Sequence, residues 1–138
     1  MSDAAKQALE ELWSFIVFHP EFPKRICLTH REWVGLSETE RHALRRQSLE
    51  TNEKARPVCG HIENLVRILG KARYQPAVVT LIQLWRNCAL IRVRDAAGHA
   101  LYEMGTLEAW TALKSMLDDS DYLSRYFAIK ATFAIDVA

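Results

Sequence analysis

The chain has 138 residues, 49% hydrophobic and 25% charged, with five Gly and four Pro. That is the chemistry of one globular domain or one compact array, and it excludes a disordered or low-complexity chain. No uncharged run reaches the ~18–20 apolar residues that span a bilayer, and the net charge is +1.

Ser2 and Asp3 are N-caps for a helix to about Phe18, with Ala5, Leu9, Leu12, Trp13, Ile16 and Val17 as its apolar stripe. The run 12–18 is no signal peptide, because acidic residues precede it and no small-residue cleavage site follows. Pro20 and Pro23 stop the helix, and residues 19–28 (HPEFPKRICL) are a connector. Thr29 to Glu32 is a capping box that opens a short helix containing Trp33. Ser37 to Glu40 is a second box. Its helix runs to about Thr51, polar except for Leu44 and Leu49, and lies on the surface.

From Pro57 the helices become shorter and denser. Val58 to Leu69 carries Ile62, Leu65, Val66 and Leu69 inward, with Gly70 as a C′ stop. Pro76 begins a helix to about Asn87 whose stripe is Leu81, Leu84 and Trp85. Arg92 to Met104 turns Ala96, Ala97, Ala100, Leu101 and Met104 inward and stops at Gly105. Leu107 to Leu117 follows, and Ser120 caps a last helix. Period-2 alternation is absent, so no strand is predicted.

The later helices repeat. At an offset of 31 residues Ala97, Ala100 and Met104 fall on Ala128, Ala131 and Ile135. At 35, Ile62, Leu65, Val66, Leu69 and Gly70 fall on Ala97, Ala100, Leu101, Met104 and Gly105. At 32, Ala77, Leu81 and Trp85 fall on Ala109, Leu113 and Leu117. A two-helix unit of this length cannot bury its own apolar faces, and stacking the units side by side does so. The prediction is an all-α, right-handed α-α superhelix. An irregular helical cap covers residues 1–56, and about two and a half repeats cover 57–138.

Residues 93–135 (VRDAAGHALYEMGTLEAWTALKSMLDDSDYLSRYFAIKATFAI) resemble short, lyase-associated HEAT repeats. Arg94 opens the first helix, Ala97 and Ala100 pack it, Gly105 ends it, and Asp119 lies in the turn before the next Arg, Arg125. The resemblance extends over 91–137, more weakly over 57–90 and not over 1–56. It implies the solenoid fold, and it implies that Arg94, Asp119 and Arg125 form a ladder tying adjacent repeats. That family includes scaffolds, phycobilin lyase subunits, an iron hydroxylase and DNA glycosylases, so it does not select a function.

The chemistry of a catalyst is missing. No GxSxG, P-loop or GxGxxG occurs. The His-Glu pairs of iron-binding HEAT enzymes are absent, and His19, His30, His42, His61 and His99 show no ligand spacing. Cys59 and His61 point apart on a helix, and Asp118, Asp119 and Asp121 read as helix-capping acids. Cys27, Cys59 and Cys88 form no CxxC, which points to a reducing, cytoplasmic setting with neither disulfides nor a thiolate metal site. The expectation is no enzyme, no cofactor and no metal.

Partner binding is expected instead. Residues 41–94 hold eleven Lys/Arg against three Asp/Glu, whereas 1–40 hold four against seven and 95–138 three against seven. The basic middle attracts a protein with an acidic patch, unless it is simply a solvated face. Arg41, Arg45 and Arg46 are candidate contacts. In a HEAT array second helices line the concave face, which nominates Trp110, Thr111, Lys114, Gln83 and Arg86, with Thr80 and Ser115 beside them. Trp110 also has a plain reading as packing against the preceding second helix at Val78.

The leading expectation is an interaction module or adaptor, in one version a bacterial immunity or effector-binding protein. The alternative is nucleic-acid binding, as in HEAT-type alkylpurine DNA glycosylases. It would use Arg41, Arg45, Arg46, Arg67, Lys71, Arg73, Arg86, Arg92 and Arg94, with Trp85 or Trp110 stacking on bases. The pI of about 7.8 lies below the range usual for such domains. A lyase or chaperone subunit is a third reading, by analogy. No membrane contact is expected. At the C-terminus, Ala128, Ala131 and Ile135 with Phe133 and Val137 look uncovered. That implies either a longer array or burial of this helix against a second copy or a partner.

Overall fold

Both capping boxes form. In the computed structural model, which describes residues 2–17 and 25–137, Thr29 Oγ1 accepts from the Glu32 N–H and Glu32 Oε1 accepts from the Thr29 N–H, each at 3.1 Å. Ser37 and Glu40 do the same at 3.1 and 3.0 Å. These boxes open α2 (His30–Val34) and α3 (Glu38–Lys71). α1 (Ser2–Val17) precedes them. A 3-10 turn at Gln75–Ala77, with Pro76 in its first turn, leads into α4 (Val78–Asn87). α5 (Ile91–Met104), α6 (Leu107–Lys114) and α7 (Tyr122–Val137) complete the order. The described residues contain no strand, and Thr29 and Asp119 form an isolated antiparallel bridge. Phe18, His19, Pro20 and Pro23 lie outside the described residues, as do the side chains of Ile16, Val17 and Val137.

Pro57 does not separate two helices. α3 runs through it for 34 residues, so the boundary expected at 56/57 falls inside one helix. Proline there removes one backbone donor and crowds the carbonyl four residues earlier, a cost of ~3 kcal/mol. Glu53 and Pro57 are exposed, so water can reach the freed carbonyl. Both halves are anchored elsewhere. Cys59, Ile62, Leu65, Val66 and Leu69 are buried on one side of Pro57, and on the other Asn52 bonds to the start of α5. Leu49, expected as an anchor, is exposed, while Leu44 is half-buried.

Helix ends also differ from expectation. Gly70 is helical, and the left-handed C′ residue is Arg73, at φ 49°. Its N–H donates to the Gly70 carbonyl, and the Tyr74 N–H reaches back to Leu69, which is a Schellman pattern. Gly105 is the expected left-handed stop, at φ 67°. α6 ends at Lys114, so Leu117 lies beyond it and is exposed, unlike its repeat counterpart Trp85, which is fully buried. Asp121, not Ser120, caps α7: its Oδ2 accepts from the Ser124 N–H at 3.2 Å.

The helices pack in the order the apolar stripes dictate. α3 lies on α5 and α5 on α7, while α4 contacts both α5 and α6, α6 contacts α7, and α1 covers α3. Trp85, Phe127, Leu12, Ile62, Leu81, Leu101 and Leu113 are fully buried between them. The repeat-matched pairs Ala97/Ala128, Ala100/Ala131, Ala77/Ala109 and Leu81/Leu113 are all buried. Ala128 and Ala131 are therefore covered within the chain, contrary to expectation. Phe133 is exposed as expected and Ile135 is half-buried; the bare face of α7 is formed by Tyr122, Tyr126, Ile129 and Phe133. Among the described residues no helix is long and apolar enough to cross a membrane.

Candidate binding cleft

The segment preceding α2, from residue 25 on, is bonded to the turn before α7. Residues 25–30 run alongside the turn at 118–121. The His30 N–H donates to the Asp118 carbonyl at 2.6 Å, and the Ser120 N–H donates to the Leu28 carbonyl at 2.9 Å. Arg25 fastens this segment. Its Nη1 donates to Asp119 Oδ1 at 2.9 Å, its Nη2 pairs with Asp119 Oδ2, and its Nε donates to the Arg86 carbonyl at 2.8 Å. Burial opposes the Arg25 cation, but the hydrogen bond and charge of Asp119 outweigh it and hold the guanidinium above its ordinary pKa.

The three residues expected to form a ladder bond at separate places. Arg94 on α5 reaches α7, donating to Ser124 Oγ at 3.1 Å, and pairs with Asp121 just before that helix. Asp119 instead binds Arg25, and Arg125 Nη1 lies 2.8 Å from His30 Nδ1. Asp119 thus holds Arg25 of the connector, and Arg125 meets the first residue of α2. Arg94 is 4% exposed. Burial, only partly offset by Asp121, lowers its pKa. Its Nε–H has no hydrogen-bond partner among the described residues.

Asn52 completes the junction. Leu90 precedes α5 without a capping side chain, and Asn52 Oδ1 supplies the acceptor for the Ile91 N–H at 3.1 Å. Its Nδ2 donates to the Ala89 carbonyl at 3.2 Å. An asparagine on one helix thereby caps another, a role for which the local sequence holds no signal.

Between these elements opens a cleft of about 300 Å³. Ile26 and Leu28 of the connector, Trp33 of α2 and Leu44 of α3 give it apolar walls, with Ala89. Arg25, Arg45, Arg94 and Asp121 give it charge, and Gln47, Ser48, Thr51 and Ser120 give it neutral polar groups. The Arg45 guanidinium carbon stands 5.3 Å from the Trp33 ring centroid, a cation–π contact that positions the side chain.

Of the sequence-predicted contacts, Arg45 lines this cleft. Arg41 donates to the Val34 carbonyl at 3.4 Å, and Arg46 is exposed. Gln83, Thr111 and Lys114 are exposed, and Arg86 Nη2 donates to Ser115 Oγ at 3.1 Å. Trp110 is half-buried: its indole N–H donates to the Tyr102 carbonyl at 3.0 Å, and its ring lies 6.1 Å from that of Tyr102. It packs on α5 rather than standing free as an anchor. Thr80 is buried and accepts from the Trp13 indole at 2.9 Å. Among the described residues no hydrogen bond or ion pair joins Trp110 or Lys114 to Arg41, Arg45 or Arg46.

The cations nominated for nucleic acid are partly spent internally. Arg67 and Arg92 both pair with the buried Glu63 at 2.7 Å, and Arg94 is buried against Asp121. Trp85 is fully buried, so it is no stacking platform. His61 bonds to Glu11 at 2.6 Å, and His99 lies 3.6 Å from Asp95 with its ring against Phe127. Among the described residues no group of three or more His, Cys, Asp or Glu is placed to hold a metal ion.

No protein-family model, curated protein or solved structure matches the chain.

Proposed function

We propose that this chain is a non-enzymatic, HEAT-like interaction module, a right-handed array of helix pairs that docks another protein. The observation that carries the reading is the outer face of α7. Tyr122, Tyr126, Ile129 and Phe133 recur at steps of four, three and four residues, and they are 74, 44, 49 and 66% exposed. Helical spacing puts all four in one row. A contiguous apolar row with two tyrosines and a phenylalanine has the composition of an interface core, and it costs solubility unless something covers it. By the 31-residue offset these positions correspond to Ile91, Asp95, Gly98 and Tyr102 of α5, and α7 packs on α5. The row is therefore where the next helix of a stack would sit.

The partner brings an acidic patch. Arg45, Arg46, Arg86 and Lys114 have no carboxylate within ion-pair distance among the described residues. The internal pairing of Arg67, Arg92 and Arg94, with the burial of Trp85, favours a protein over a nucleic acid as the partner. The test compares wild type with Ile129→Asp/Phe133→Asp in affinity capture from the native source, beside sedimentation over a concentration series. Loss of a captured protein, or of self-association, in a variant that melts like wild type supports the reading. Identical capture and sedimentation for both proteins overturns it.

A further inference from the structure

We propose that the cleft between the connector, α2 and α3 is a binding site for a monocarboxylate on an apolar stem, with Arg45 receiving the carboxylate. This goes beyond the α7 reading and does not depend on it. The charge of the cleft selects the ligand. Arg25 and Arg94 also line it, but each is already matched by a carboxylate, Asp119 and Asp121 respectively. Arg45 lines it without a carboxylate partner among the described residues. One unmatched cation calls for one negative charge, which a carboxylate carries and a phosphate monoester exceeds.

Geometry narrows the class further. Trp33 holds the Arg45 guanidinium from one side, at 5.3 Å, and so removes part of the entropy cost of fixing a long side chain. A guanidinium so oriented presents a planar fork that matches a carboxylate. Ser48 and Thr51 lie on the same helix and line the same space, supplying hydroxyl donors. Ile26, Leu28, Trp33 and Leu44 would surround an aliphatic or aromatic stem rather than a second charge. At about 300 Å³ the cleft sits at the small end of ligand pockets. It takes one side chain or one small acid.

Such an acid is either free or the side chain of an acidic peptide, and two probes separate these sources. The full chain, labelled with nitrogen-15, is titrated with 4-phenylbutyrate, 4-phenylbutyramide, phenyl phosphate and the peptide acetyl-Leu-Glu-Phe-amide, and amide shifts are followed. We expect 4-phenylbutyrate to bind with a Kd on the order of 1 mM. Its shifts should fall on residues 25–28, 33, 44–51 and 120–121. Both the neutral amide with wild type and the acid with Arg45→Gln should bind about tenfold more weakly. Arg45→Lys, which keeps the charge but loses the planar fork and the stacking on Trp33, should bind with an affinity between those of wild type and Arg45→Gln. Tighter binding of the peptide assigns the site to a partner's side chain, and tighter binding of the free acid assigns it to a small molecule. Either result supports the site. Four results overturn the proposal: equal binding of acid and amide, an unaffected Arg45→Gln, tighter binding of phenyl phosphate, or no shifts at the cleft.

Discussion

Gly70 and Ala100 meet where α3 crosses α5, so closely that a Cβ on Gly70 would stand 2.7 Å from both Cα and Cβ of Ala100. The Cα is backbone on the facing helix, so it cannot swing aside. Gly60, ten residues earlier on the same helix, has nothing within 4 Å of the same position. The two glycines therefore predict opposite outcomes. Gly70→Ala forces the helices apart and should cost about 1–3 kcal/mol, the usual cost of overpacking. Gly60→Ala should stabilise by about 0.5–1 kcal/mol through helix propensity alone. Urea unfolding of the two variants checks this, and a stabilising Gly70→Ala would refute the crossing.

Leu101 is fully buried and Lys114 is exposed. An aspartate at Leu101 would bury an unpaired charge at a cost of several kcal/mol, comparable with the whole stability of a domain. Lys114→Ala should stay within about 0.5 kcal/mol of wild type. Circular dichroism melts distinguish them, and equal melting temperatures would contradict the assignment of faces.

What can be read from the chain is what local rules carry. The capping boxes at Thr29 and Ser37 use residues three apart, and both form. The inward stripes of α4 and α5 follow from period 3.6, and their residues are buried. Pro57 misleads because its local cost is set against burial at Ile62 and Leu69 and a bond from Asn52, none of which lies beside it. Gly70 looks like Gly105 in sequence, but one serves a close crossing and the other a left-handed turn. The cleft is least legible. Charge alone nominates Arg45, while Arg25, Trp33 and Asn52 acquire their roles through contacts that span 12 to 94 positions in sequence.

Arg25 and Asp119 are each more than nine-tenths buried at their side chains and face one another across the junction. Removing one partner leaves a buried charge uncompensated, whereas removing both does not. Arg25→Met should cost on the order of 3 kcal/mol, and Arg25→Met with Asp119→Leu should recover part of that loss. The His30 and Ser120 amides, which bond across the same junction, should exchange faster in the single variant. Unchanged exchange at both amides would mean that Arg25 does not hold the connector.

Burial raises the Cys88 thiol from 9.0 to about 11, although the Leu90 N–H donates to its sulfur and works the other way. The native state thus keeps a proton that the unfolded chain loses first. The associated stability is complete below pH about 9, falls as pH rises toward about 11, and then levels off. Two pKa units correspond to a loss of roughly 2–3 kcal/mol at most. Cys59, also raised by burial, adds a smaller slope of the same sign. Cys88→Ala removes the larger share, so wild type and variant should differ most near neutral pH and converge at alkaline pH. Denaturant titrations at about pH 8 and about pH 11 measure the difference. Parallel curves for the two proteins would show that the Cys88 thiol titrates alike folded and unfolded. Thiol labelling offers an independent check, because Cys27 is exposed while Cys59 and Cys88 are buried. Cys27 should react first, and the other two only as the chain opens. Fast labelling of Cys88 in the folded protein would contradict its burial against Leu90.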